Sequence, residues 1–199
     1  FPSMSFMLDA ENNYNLEDSI HVAKELEKLN FTWFEAPLPD YDFAGYKKIT
    51  NSVGIKIIPS GNWVVDLQRF SEAIKNKIWS ATRTDMAMIG GITNGKKAMD
   101  ISELGGLDCE IMSWGYTLVS VANLHLMLSS NICSFYEQPL PYETFEFGMN
   151  DVLRTSKDGY MYAPNKPGLG MEINWNKMKT KLIHTFYCDK NKKIGLVHS

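Results

Sequence analysis

The sequence is poor in several features that would mark particular classes of protein. It has only three cysteines, Cys109, Cys133 and Cys188, whose spacing is neither that of a zinc site nor that of a disulfide framework. Its 20 lysine and arginine residues are scattered and the formal net charge is -3, so no basic nucleic-acid surface is expected. No apolar run is long enough to cross a bilayer. We therefore expect a cytoplasmic protein that binds neither nucleic acid nor membrane.

The start of the sequence has no initiator methionine and no signal-peptide pattern. It begins with "FPSMSFMLDA", which leads directly into a strand-like run. The composition, with 44% hydrophobic and 22% charged residues, is that of an ordinary globular protein. We expect these 199 residues to be part of a longer polypeptide.

Short apolar runs alternate with amphipathic stretches between residues 5 and 137. Runs at 5–8, 31–34, 55–58, 79–84, 108–111 and 132–136 are the predicted strands, and they end near Asp9, Glu35, Asn62, Asp85, Met112 and Glu137. These end positions are 26, 27, 23, 27 and 25 residues apart. Strands and helices alternating at this period predict a parallel α/β sheet of about six βα units.

Both an open doubly wound sheet and a closed barrel fit this alternation. The glycines of "IGGITNG" lack the Gly-x-Gly-x-x-Gly order of a dinucleotide site, so we favour a (β/α) TIM-type barrel. Helices are predicted in the intervening stretches, the first of them, "LEDSIHVAKELEKLN", being capped by Asn15.

From about residue 138 the chain is rich in proline, glycine and aromatic residues, which predicts an ordered but irregular segment. A turn is predicted at Lys157-Asp158-Gly159. The stretch "KLIHTFYCD" fits either a short strand or a terminal helix.

The strand-end residues have a chemical meaning in a parallel barrel. Asp9, Glu35 and Asn62 would follow three successive strands, whose carboxyl ends open onto one mouth where active sites lie. Two carboxylates and an amide oxygen are hard ligands that suit Mg²⁺, which would offset the cost of burying Glu35. Alternatively each is a helix cap or a salt-bridge partner, and "DAENNYN" around Asp9 also has turn composition.

Several motifs taken together resemble one family. "MLDAENNY", "WFEAPL", "PSGNW", "TDMAMIGGIT", "MSWGYTLVSVANLHL", "YEQPLP" and "PNKPGLGMEI" resemble the enolase superfamily, in its mandelate racemase and muconate lactonizing enzyme branch, and especially its acid-sugar dehydratases. The resemblance spans roughly residues 3–173. It implies a modified TIM barrel with a separate α+β capping domain, a homo-oligomer, one Mg²⁺ and a substrate that carries a carboxylate. The capping domain, the first barrel strands and a Lys-x-Lys base would then precede residues 1–199.

The resemblance assigns the metal ligands unevenly. Asp9 and Glu35 match the first two ligand positions. The third falls on Asn62, or, in another reading of the local motif, on Gly61, which has no side-chain ligand. Glu11 replaces an asparagine common in the family, and it either adds charge near the metal or is simply solvated.

The resemblance also leaves the base in question. Asp85 matches the aspartate of an Asp–His dyad, but Met112 stands where the histidine is usual and cannot take a proton. Asp85 could orient substrate hydroxyls, pair with Arg83 or be residual. Glu137 matches a glutamate that can hydrogen-bond the substrate carboxylate, with a structural contact to the next loop as the alternative. None of the four histidines lies at a predicted strand end: His21, His125, His184 and His198.

Three aromatic residues, Trp63, Trp114 and Tyr116, are expected to line the pocket, with core packing as the alternative. We therefore predict a Mg²⁺-dependent lyase that dehydrates a sugar acid through an enolate-like intermediate. A racemase, epimerase or cycloisomerase on the same scaffold is the second hypothesis. A catalytically silent homologue is the third, because the dyad is broken.

Overall fold

The computed structural model describes residues 3–188 and 194–197, so His198 lies outside the described residues. Five parallel strands alternate with five helices: β1 Met7–Asp9, α1 Leu16–Lys28, β2 Trp33–Glu35, α2 Phe43–Thr50, β3 Lys56–Ile58, α3 Leu67–Lys75, β4 Thr82–Thr84, α4 Ile92–Leu104, β5 Cys109–Ile111 and α5 Thr117–Met127. None of the helices in this part of the chain is both long and apolar enough to pass through a membrane.

The strands pair in sequence order, as the alternating pattern predicts. β1, β2 and β3 form one parallel sheet, and β4 pairs with β5 in another. Between the two sheets, the Ser80 N–H donates to the Ile57 carbonyl at 3.0 Å, so the strand order continues from β3 to β4. Asp9 and Glu35 are partners in the β1–β2 register, which places two predicted site residues side by side.

The predicted sixth strand, at 132–136, is wrong as a strand. Only its first residue, Ile132, accepts a main-chain hydrogen bond from β5, at 2.8 Å. The next donors turn to a side chain instead, because the Ser134 and Phe135 N–H groups both donate to Glu110 Oε2, at 3.2 and 3.3 Å. A buried carboxylate thus replaces the main-chain ladder, and an extended segment runs beside β5 without becoming a strand.

The first three helices begin at side-chain caps. Asn15, Asp42 and Asp66 each accept a hydrogen bond from the N–H three residues later, at 2.7–2.9 Å. Such a cap satisfies one of the donors that the first helical turn leaves unpaired. The predicted cap at Asn15 is confirmed.

Removing the Asn15 cap gives the first testable consequence. Asn15→Ala is expected to lower the free energy of unfolding by about 1 kcal/mol, because the Asp18 N–H loses its acceptor. Urea denaturation measures the change. Asn131→Ala, at an exposed position outside the helices, is the matched control. Equal effects of the two substitutions would contradict a capping role.

Alternation along each strand separates the core from the barrel interior. Phe34 and Ile57 point outward into the main hydrophobic cluster beneath the helices. Trp33 and Ile58 belong to a smaller inner cluster, and the Phe135 ring packs edge-on against Trp33 with centroids 5.2 Å apart. The side-chain period of two therefore carries Glu35, two residues after Trp33, to the inner face.

The segment beyond residue 138 contains little regular structure. It holds α6 Tyr142–Phe145 and α7 Trp175–Lys179, and the predicted turn at residues 157–159 is present. The stretch "KLIHTFYCD", for which a short strand and a terminal helix were both possible, contains a strand. This strand, β6 Thr185–Cys188, pairs antiparallel with β7 Ile194–Val197. Asp189, the last residue of that stretch, lies outside the described residues.

Candidate functional site

A cavity of about 550 Å³ lies at the carboxyl ends of the parallel strands. It brings together eight of the nine side chains predicted for the site: Asp9, Glu11, Glu35, Asn62, Asp85, Trp114, Tyr116 and Glu137. Trp63 is the exception, because it is absent from the lining and is 65% exposed. The convergence follows from strand ends that share one edge of the fold.

The buried carboxylate of Glu35 sits where β2 stops. The next residue, Ala36, has a φ of +46°, which bends the chain out of the strand direction. The Ala36 N–H still donates to the Ile58 carbonyl at 3.0 Å, so this bend is tied to β3. On β1, Asp9 Oδ1 accepts the N–H of Glu11 at 2.9 Å, which steadies the first predicted ligand.

The centre of the site is Arg83, a residue that sequence reasoning considered only as a partner of Asp85. Its side chain is 2% exposed and forms ion pairs with Glu35 and Glu137. The Nε–Oε1 distance to Glu35 is 2.8 Å, but Nε makes no hydrogen bond, so this contact is an ion pair by proximity alone. The hydrogen bond of the guanidinium goes from Nη2 to Glu137.

Burial dominates the ionisation of Glu35. Loss of solvent raises its pKa to about 8, the charges of Asp9 and Glu137 push it the same way, and Arg83 opposes the rise. The Arg83 guanidinium is shared between Glu35 and Glu137, and it does not offset the rise in the pKa of Glu35. A cation beside Glu35 would relieve this cost.

Asp85 is held by an amide partner. Its Oδ1 accepts hydrogen bonds from the Ala87 N–H at 2.9 Å and from Asn123 Nδ2 at 2.7 Å. Asn123 Nδ2 also donates to the Met112 carbonyl at 2.9 Å. Of the three alternatives for Asp85, pairing with Arg83 is not what the structure shows, since Arg83 pairs with Glu35 and Glu137 and the side-chain partner of Asp85 is Asn123. A polar residue within the apolar "VANLHL" stretch was the available signal.

Glu137 is fixed at the cavity wall from several directions. Its N–H donates to Ser113 Oγ at 2.7 Å, and its Oε2 accepts the Trp114 N–H at 3.3 Å. The side chain remains 31% exposed, which leaves part of the carboxylate accessible from the cavity. Trp114 and Tyr116 lie further out and are both largely exposed.

The side chains of the lining are of a kind that can bind a divalent cation, although they do not form a complete set of ligands in the described residues. Within residues 3–188, no group of three or more His, Cys, Asp or Glu side chains is placed to hold a metal ion. The predicted set, Asp9, Glu35 and Asn62, offers two carboxylates and one amide, all oxygen donors that suit Mg²⁺. Five carboxylates and one guanidinium line the cavity, a formal charge of -4 when all are ionised. Such a cavity attracts cations and repels an anionic substrate unless a cation is bound.

Comparisons with known protein families, sequences and structures all point to the same superfamily. The family model for enolase C-terminal domain-like proteins matches residues 1–177. The D-galactonate dehydratase family member RspA of Pantoea ananatis is 31% identical over 181 residues, which cover 86% of this chain and 41% of RspA. A solved structure from Pseudovibrio sp., provisionally named a mandelate racemase/muconate lactonizing enzyme, is 35% identical with a TM-score of 0.90 and covers 100% of this chain and 50% of its own.

A second solved structure is D-glucarate dehydratase from Agrobacterium tumefaciens complexed with magnesium. It is 27% identical, has a TM-score of 0.81, and the match covers 90% of this chain and 47% of that one. The chain thus spans about two-fifths of the length of RspA and half or less of the solved proteins. The family match and the strand order confirm the predicted family and fold class. The chain belongs to the enolase superfamily, in its mandelate racemase/muconate lactonizing enzyme branch, and its βα units are those of a TIM-type α/β barrel.

Proposed function

We propose that the protein dehydrates a sugar acid in a Mg²⁺-dependent reaction, by loss of the proton α to a carboxylate and then of a β-hydroxyl. The observation that carries the proposal is the acidic cavity, where Asp9 and Glu35 are register partners and Asn62 belongs to the same lining. The names of two relatives, a D-galactonate dehydratase family member and a D-glucarate dehydratase with magnesium, support acid-sugar chemistry.

Each group in the cavity has a role in this proposal. Asp9, Glu35 and Asn62 would hold the Mg²⁺, which supplies Lewis-acid stabilisation of the enolate-like charge when bound. Glu137, partly exposed to the cavity, would donate a hydrogen bond to the substrate carboxylate. Trp114, Tyr116 and Glu11 would contact the rest of the sugar acid.

The base is proposed to come from outside the described lining. Neither lysine nor histidine lines this cavity in the part of the chain that the structure describes, and Met112 cannot take a proton. The family resemblance implies a Lys-x-Lys strand before β1. We propose that this lysine, together with a capping domain, completes the site in the whole protein.

The proposal predicts a metal-dependent lyase activity that needs both acidic ligands. With Mg²⁺ and D-galactonate or D-glucarate, the purified whole protein should form a 2-keto-3-deoxy acid, detected as its semicarbazone. Asp9→Asn and Glu35→Gln should each lower kcat/KM about 100-fold or more, because each removes a charged ligand. Glu103→Gln, at an exposed position on α4, should leave it unchanged. Exchange of the α-proton in D₂O without formation of a keto acid would argue against elimination.

Two other functions are separated by simple observations. The racemase/lactonizing name of the Pseudovibrio relative keeps those reactions as alternatives. A racemase needs bases on both faces of the substrate, and Met112, which stands where the family resemblance expects a histidine, cannot be one of them. A silent homologue is favoured by the ion pair of Glu35 with Arg83, which already supplies a cation.

Magnesium titration separates a silent homologue from the proposed enzyme. The melting temperature should rise with Mg²⁺. At a Mg²⁺ concentration of 100 times the dissociation constant, the free energy of unfolding should increase by about 2.7 kcal/mol. Glu35→Gln should greatly reduce the rise, whereas Glu103→Gln should keep it. A melting temperature unaffected by Mg²⁺ would favour the silent homologue.

A further inference from the structure

The buried carboxylate of Asp40 is not part of the cavity lining, but it contacts Ser60, which is. Asp40 is fully buried, and its Oδ1 accepts the Ser60 N–H at 2.8 Å and the Tyr46 hydroxyl at 3.3 Å. Its Oδ2 accepts the Ser60 hydroxyl at 2.7 Å and the Trp63 N–H at 3.4 Å. Three of its four donors thus belong to the loop of residues 60–63 that carries Asn62.

This loop has little freedom to take another shape. Gly61 has a φ of +80°, and a Cβ added there would lie 3.1 Å from Arg83 Cγ. The Ser60 hydroxyl donates to Asp40 and accepts the Asn62 N–H at 3.2 Å. Ser60 therefore links the buried carboxylate directly to the main chain of the third proposed ligand.

We propose that Asp40 is a positioning residue that sets the place of Asn62 through Ser60. The inference rests on the proposed function, because Asn62 matters as a ligand only if the site binds a metal. A fully buried carboxylate that loses its hydrogen-bond donors is costly, so the loop cannot move away without leaving Asp40 unsatisfied. Loss of a residue that hydrogen-bonds to a metal ligand and orients it typically lowers metal affinity about 10–100-fold.

The chain offers a variant that tests position separately from stability. Ser60→Ala removes the hydroxyl link and leaves Asp40 in place. Asp40→Asn keeps the shape but turns an amide donor toward at least one of the loop donors. Tyr46→Phe is the matched control, because its hydroxyl contacts the same carboxylate from α2 rather than from the loop. It also loses a hydrogen bond to the Leu38 carbonyl at 2.8 Å, so it should lower the melting temperature.

The experiment measures Mg²⁺ affinity by calorimetry together with hydrogen exchange at the Ser60 and Trp63 amides. Ser60→Ala and Asp40→Asn should weaken Mg²⁺ binding about 10-fold or more and speed loop exchange. Tyr46→Phe should keep the affinity within about twofold despite its lower melting temperature. Ser60→Ala decides the matter if Asp40→Asn does not fold.

Two negative outcomes have different meanings. Wild-type protein that binds no Mg²⁺ overturns the proposed function and this inference together. Wild-type binding with unchanged affinity in folded Ser60→Ala overturns the inference alone. An equal loss of affinity in Tyr46→Phe would also overturn it, because general destabilisation would then explain the effect.

Discussion

Arg83→Met is expected to lower the free energy of unfolding at pH 8.5 by about 3–5 kcal/mol, the range found when one partner of a buried ion pair is removed. The Arg83 side chain is 2% exposed and Glu35 beside it is 8% exposed, so water cannot replace the lost guanidinium without rearrangement. The choice of pH matters because Glu35, with a pKa of about 8, is mainly ionised there. Urea denaturation of wild type and variant provides the measurement.

Two further variants identify the cause of this loss. Adding Glu35→Gln to Arg83→Met should recover part of the stability, because it removes the carboxylate left unpaired. Arg154→Met, which breaks an ion pair with Glu146 on the surface, should have a much smaller effect because solvent screens that pair. An Arg83→Met protein as stable as wild type would show that the central ion pairs do not support the fold.

The stability of the metal-free protein should fall as pH rises from about 4.5 to about 8. Glu35 has a pKa of about 8 in the folded protein, against 4.5 for the free side chain. Between these values the unfolded chain has already lost the proton that the folded protein keeps, so each rise in pH favours unfolding. Integrated over the interval, the change attributable to Glu35 is roughly 4–5 kcal/mol.

Glu35→Gln tests this pH dependence directly. The variant has no carboxyl group at this position, so it should not lose stability through Glu35. As pH rises to 8.5, the free energy of unfolding of the wild type should therefore fall relative to that of the variant. Denaturation curves at pH 5, 7 and 8.5, in the presence of EDTA, give the difference. A difference that does not change with pH would mean that Glu35 ionises normally in the folded protein.

Local signals in the sequence predicted much of this fold. The first five strands, the cap at Asn15 and the turn at residues 157–159 depend on neighbouring residues, and the structure contains all of them. Strand ends also predicted which side chains meet in one cavity, because the edge of a parallel sheet gathers them.

Features that depend on distant side chains could not be read from local pattern. In the segment next to β5, main-chain N–H groups donate hydrogen bonds to the side chain of Glu110 instead of to main-chain carbonyls. The apolar run at 132–136 therefore does not become a strand. Arg83 lies 48 residues after Glu35 and 54 before Glu137, so its ion pairs are visible only in the folded chain. The same holds for Asn123, whose amide reaches back 38 residues to Asp85.

Crystals of the protein soaked in Mn²⁺, a heavier stand-in for Mg²⁺, give the most direct test of the proposed metal site. Anomalous diffraction locates such an ion independently of any assumption about its ligands. We predict one strong peak within bonding distance of carboxylate oxygens of Asp9 and Glu35 and of the amide oxygen of Asn62. A fully soaked crystal with no peak in this cavity, or with its peak bound by other residues, would contradict the account.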